Sequence, residues 1–158
     1  MKEETIVVAL GGNAILQPGQ RGTLQEQLEN VDIACRHLVG IISAEKYRMV
    51  ITHGNGPQVG NILLQNEMAS SLIPPMPLDI CGAATQGTMG YMIQQTLANR
   101  LRVAGLKHYI TTVTTQVIVD KDDPAFKKPT KPIGPFYSLK EAQKLRQDRG
   151  WDIIKDSN

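Results

Sequence analysis

The chain has 158 residues, 41% of them hydrophobic and 20% charged, with a formal net charge of +2. That is the composition of one packed domain, and it excludes wholesale disorder. Aromatics at 4% and so mild a charge disfavour a stacking platform or an electrostatic polyanion binder, so nucleic acid is not an expected partner.

The first predicted element is the apolar run Thr5–Leu10, ended by Gly11-Gly12-Asn13. A β-branched run closed by glycines predicts a buried strand of a parallel sheet. Thr23-Leu24-Gln25-Glu26 is a capping box. Beyond it Leu28, Val31, Cys35, Leu38, Val39 and Ile42 recur at helical spacing. Tyr47–Thr52 predicts a second buried strand. It runs into His53-Gly54-Asn55-Gly56-Pro57, with Pro57 suited to the first position of a helix through Glu67. The order β–loop–α–β–loop–α is that of an α/β sheet with right-handed crossovers.

A loop over 70–77 carries Pro74, Pro75 and Pro77. The next predicted helix, Asp79–Val103, contains Gly82, Ala83, Ala84, Gly87 and Gly90. Each helical glycine costs about 1 kcal/mol against alanine. Something is therefore expected to approach this backbone: the fold's own packing, a subunit or a ligand. Tyr109–Asp120 alternates Thr with Val and Ile and predicts a third strand. The segment after it holds Pro124, Pro129, Pro132 and Pro135 among Lys121, Lys127, Lys128 and Lys131. Ser138-Leu139-Lys140-Glu141 is a second capping box, opening a polar helix to about Arg149. Trp151–Ile154 reads as the start of another strand. Residues 121–158 carry a charge of +3 and the first 120 carry −1, so the basic balance is local.

Cys35 and Cys81 lie far apart, with no metal-ligand spacing. Two reduced, buried thiols are expected, with no disulfide framework and no zinc. The Ile6–Leu10 run is too short for a signal-peptide core, and no run approaches the ~18 residues of a membrane span. A soluble, cytoplasmic protein without a membrane partner is the expectation.

Two glycine turns each follow a strand, Gly11-Gly12-Asn13 and Gly54-Asn55-Gly56. In a parallel sheet both fall at the carboxyl edge, where open α/β folds bind ligands. Backbone N–H groups of such turns, the dipole of the helix after Pro57 and the amides of Asn13 and Asn55 suit a phosphate or carboxylate. The alternative is a pair of ordinary βα turns. Gly54 to Gly60 spells GxGxxxG, one residue too long for the dinucleotide fingerprint, and no P-loop occurs. Lysines 127, 128 and 131 could present point charges to an anion or form a solvated basic loop. His53 could serve as a general base, although a structural role is the commoner one for a lone loop histidine. Asp122 and Asp123 are expected to cap the turn before Pro124 rather than act as a carboxylate pair.

Ala9–Ala14, Thr52–Gly60, Cys81–Gly87, Asp123–Phe126 and Pro129–Tyr137 together resemble carbamate kinases of the amino acid kinase superfamily. The likeness extends from Val7 to Tyr137. The HGNGPQVG and PTKPIGPFY strings carry most of its specificity. It implies a three-layer α/β/α sandwich with a mainly parallel sheet, normally a homodimer. It implies reversible transfer of a phosphoryl group between ATP and carbamate, giving ADP and carbamoyl phosphate, in arginine or purine breakdown. By position, Gly11, Gly12, Asn13, Gly54 and Asn55 match the substrate site, and Lys131 matches a catalytic lysine reaching in from a protruding subdomain. Residues 1–120 would be the acid-binding lobe and 121–158 the start of that subdomain. Mg²⁺ with ATP or ADP is implied as cofactor.

Members of that family run to roughly double this length. The nucleotide-binding C-terminal lobe, with its nucleotide and metal ligands, is not represented, so the chain is expected to be a truncated, N-terminal half, inactive alone. The alternatives are a non-catalytic homologue that binds a small anion or dimerises, and a superfamily kinase acting on another small acid.

Overall fold

The computed structural model describes residues 4–44, 47–134 and 137–155, with Asn13 described in its backbone only. Pro135, counted above among the prolines of the basic segment, lies outside the described residues. The elements are β1 (Glu4–Leu10), α1 (Leu24–Ile42), β2 (Tyr47–His53), α2 (Gly56–Ala69), α3 (Leu78–Val103) and α4 (Leu139–Arg149). Short 3-10 turns occupy Gly12–Ala14 and Pro124–Phe126.

Both capping boxes form as the sequence predicts. The Thr23 N–H donates to Glu26 Oε2 at 2.8 Å, and the Glu26 N–H donates back to Thr23 Oγ1 at 3.3 Å. Ser138 and Glu141 repeat the arrangement at the start of α4, which ends on Gly150 in the left-handed conformation. These bonds to Thr23 and Ser138 hold the Glu26 and Glu141 carboxyls below the usual carboxylate range. Asp123 caps the turn at Pro124 as expected, its Oδ1 accepting from the Ala125 N–H at 2.7 Å.

β1 and β2 pair in parallel, Glu4 opposite Tyr47 through Leu10 opposite His53. The crossover through α1 brings the chain back beside its first strand, as parallel pairing demands. Alternation along the strands turns Val8, Leu10, Met49 and Ile51 onto one face. There they meet Val31, Cys35 and Leu38 of α1 and Met89, Ile93, Leu97 and Leu101 of α3. Both strands were expected to be buried on two faces. Val7 and Val50, on the opposite face, are instead 66% and 47% exposed, because α1 and α3 cover the same side of the sheet. α2 packs on α3.

The Tyr109–Asp120 segment corrects the sequence expectation of a third strand, for it forms none among the described residues. β-branched composition favours a strand only where a ladder partner exists. Here α3 supplies a substitute. Gln86 Nε2 donates to the Thr115 carbonyl at 3.2 Å, and Gln86 Oε1 accepts from the Thr115 N–H at 2.8 Å. Thr112 Oγ1 donates to Gln94 Oε1 at 2.8 Å. The glycines of α3 are partly explained by the same contact: a Cβ on Gly90 would lie 2.1 Å from Thr112 Cγ2. Trp151–Ile154 likewise forms no strand among the described residues.

Candidate functional site

With Leu10 opposite His53, the two strands end side by side, about 4.8 Å apart in the hydrogen-bonding direction. The Gly11–Asn13 and Gly54–Gly56 turns therefore leave the same carboxyl edge next to each other. The Ala14 N–H closes the first turn on the Gly11 carbonyl at 3.0 Å, and the Ile15 N–H bonds the Gly12 carbonyl at 3.0 Å.

Glycine at these turns is not explained by the chain's own structure. Gly11 has φ −69° and ψ 170°, which any residue adopts. A Cβ on Gly11, Gly12, Gly54 or Gly56 would meet nothing within 4 Å. Neither backbone conformation nor internal packing selects glycine there. Close approach of the backbone to a ligand is one recurrent use of glycine.

The second turn feeds α2, whose N-terminus carries no side-chain cap and has proline in its first turn. Asn55 holds the cap position but turns its amide elsewhere. Its Nδ2 donates to Thr85 Oγ1 at 2.7 Å and to the Gly82 carbonyl at 3.2 Å, both on α3. Thr85 is buried, and its hydroxyl sits within 2.9 Å of the Cys81 carbonyl. Asn55 thus locks the turn to α3, and the N–H groups of the first turn of α2 keep the positive end of the helix dipole open. His53 is half-buried, its Nδ1 3.2 Å from the Gly54 carbonyl. That contact ties it to the turn.

Lys127, Lys128 and Lys131 are exposed on the basic loop. Among the described residues Lys131 has no ion pair. Its loop returns to the site through Gly134, which lies against Gly60 in the second turn of α2. Sequence reading missed this contact, as it missed Gln86, Gln94 and the role of Thr85. None of these residues carries a local signal. No group of three or more His, Cys, Asp or Glu that could hold a metal occurs among the described residues. Cavities of about 350 and 370 Å³ are present, and the second reaches Leu10 and Ala14, which flank the first glycine turn. One is beside Asp32 and Arg100, the other between Val8, Asn30 and Leu38. Cys35 and Cys81 are both free and buried, and burial pushes the Cys35 thiol up to about 11. No helix among the described residues is long and apolar enough to cross a membrane.

A parallel strand pair whose two glycine turns leave one carboxyl edge is an α/β arrangement that binds ligands at that edge. No protein-family model matches the chain. The relatives it does match are carbamate kinases. It is 53% identical to that of Pyrococcus horikoshii over 156 residues, which is 98% of this chain and 49% of that protein. It is 51% identical to that of Thermococcus kodakarensis over 154 residues, 96% of this chain and 49% of that protein. Among solved structures, the citrate-bound carbamate kinase of Giardia lamblia superposes with a TM-score of 0.92 at 43% identity, covering 98% of this chain and 49% of that one. The same protein bound to AMP-PNP superposes at 0.80 with 42% identity, covering 99% and 49%. The chain is similar to carbamate kinases over nearly its whole length and spans about half the length of the relatives it matches.

Proposed function

We propose that this chain is the acid-binding half of a carbamate kinase, acting in reversible phosphoryl transfer between ATP and carbamate. The observation that carries this reading is the register that sets two glycine turns, open to close approach, side by side at one edge. In it, Gly11, Gly12, Asn13, Gly54 and Asn55 cradle carbamate or carbamoyl phosphate through backbone N–H groups, and Lys131 neutralises charge on the transferring group. Residues 1–120 form the acid-binding lobe and 121–158 begin the protruding subdomain.

The chemistry is consistent with this division. Carbamate is already an anionic oxygen nucleophile, so no general base is needed and His53 has no proton to take. Transfer of a phosphoryl group calls for positioning and charge neutralisation, which oriented N–H groups and a lysine provide. In this reading ATP or ADP and Mg²⁺ are held by residues outside this chain. A homodimer in the cytoplasm, serving arginine catabolism, completes the reading.

Calorimetric titration with carbamoyl phosphate tests it. The expected result is saturable binding by the wild-type chain, lost on Gly11→Val and Gly54→Val. Lys131→Ala should weaken binding about tenfold, equivalent to about 1.4 kcal/mol, and Lys144→Ala should leave it unchanged. The chain alone is expected to form no ATP from carbamoyl phosphate and ADP. Absence of binding, or equal effects of the two lysine variants, overturns the assignment.

A further inference from the structure

Gly60 and Gly134 meet backbone to backbone. Gly60 is buried in α2, one turn beyond Gly56. Gly134 has φ +113°, a region side-chain-bearing residues rarely adopt. A Cβ on Gly60 would stand 2.6 Å from Gly134 Cα and 2.8 Å from its N. The neighbour is main chain rather than the end of a flexible side chain, so it has no cheap way to yield. A glycine inside a helix costs about 1 kcal/mol against alanine. The close approach of the loop accounts for its presence in α2.

Position gives the contact its meaning. Gly60 rises only about 6 Å along α2 from Gly56, the last residue of the second turn. Lys131 precedes Gly134 by three residues, so its Cα is tethered within about 10 Å of the contact. We propose that Gly60 and Gly134 form a latch that seats the Lys131 loop beside the second glycine turn, both acting as positioning residues for Lys131. The proposal rests on the reading of Lys131 as a phosphoryl-site lysine. It adds the element that brings that lysine to the edge.

The test has one arm independent of ligand. Spin labels on Thr130→Cys and Gln65→Cys, both exposed positions, report the distance between the loop and α2 in the 158-residue chain. A narrow distance distribution is expected. Gly60→Ala and Gly134→Ala should each broaden it and lengthen its mean by several ångströms, with the far-UV circular dichroism retained. Gly40→Ala, where a Cβ meets open space on α1, should leave it unchanged. Unchanged distributions in both variants overturn the latch. If Gly60→Ala does not fold, Gly134→Ala, outside any helix, decides alone.

The second arm is a carbamoyl phosphate titration. Gly60→Ala should weaken binding about tenfold when Lys131 is present and have no effect in a Lys131→Ala background. An equal loss in both backgrounds means Gly60 acts on the fold and not through Lys131, and overturns the positioning role. Failure of the wild type to bind would strike the functional reading, while the distance arm still decides the latch.

Discussion

Arg100 of α3 donates to Asp32 of α1 from Nε at 2.6 Å and again from Nη2, and Arg36 donates to the same carboxylate at 2.8 Å. The hydrogen bonds from Arg100, and then those from Arg36, hold the Asp32 carboxyl down at about 2, from an ordinary value of 3.8. A carboxyl depressed in the folded state contributes stability that is fully present above its unfolded pKa. That contribution fades as pH falls from about 4 towards about 2. Asp32→Asn is therefore expected to reduce stability at neutral pH. It should also flatten the acid limb of the stability curve between those values, read by urea denaturation at a series of pH values. A variant whose acid limb matches wild type would remove Asp32 from the acid response. Both partners are partly exposed, so salt should weaken the effect.

At the scale of elements, the 109–120 segment shows how a helix can hold a chain that lacks a strand partner. Gln86 engages both backbone groups of Thr115, and Gly90 leaves the space that Thr112 fills. Gly90→Ala gains about 1 kcal/mol of helix propensity but overpacks against Thr112, which typically costs 1–3 kcal/mol, so net destabilisation is expected. Thr112→Ser removes the clashing Cγ2 and should restore much of that loss. The check is the coupling energy of a double-mutant cycle from thermal melts, and a value near zero would show that the two residues do not meet.

The same elements show what could be read from the chain. Strands β1 and β2, helices α1 to α4 and the two capping boxes were legible because periodicity and caps are local signals. The glycine turns were legible as punctuation after strands. The clasp by Gln86 and Gln94 was not, since glutamines on a helix look like ordinary solvated residues. Nor was the docking of Asn55 on Thr85, which needs α3 in place. Gly134 against Gly60 joins parts of the chain far apart in sequence, and no local pattern marks it.

At the scale of the whole molecule, the outward sheet face and the 109–120 segment leave a large apolar surface open. Val113 is 74% exposed, Val117 79% and Ile118 96%, and on the outer sheet face Val7 is 66% exposed. Exposed apolar surface and an unpaired β-branched segment favour association. The weight-average mass in sedimentation should rise with concentration, and Ile118→Lys should move that rise to higher concentration without altering circular dichroism. A strictly monomeric wild-type chain would contradict the expectation.

The pairing of Leu10 with His53 acts as a shared origin from which both turns are measured. Inserting one residue into either strand would carry one turn about 3.3 Å past the other and swap that strand's inward and outward side chains. Val8 or Ile51, according to the strand, would leave the core in the same event that parted Gly11 from Gly54. The relative placement of the two turns and core formation therefore cannot drift apart by small steps in these strands. Changes in length are tolerable only in stretches that sit off the ruler, such as the 17–22 loop, where lengthening leaves both turns at the same height.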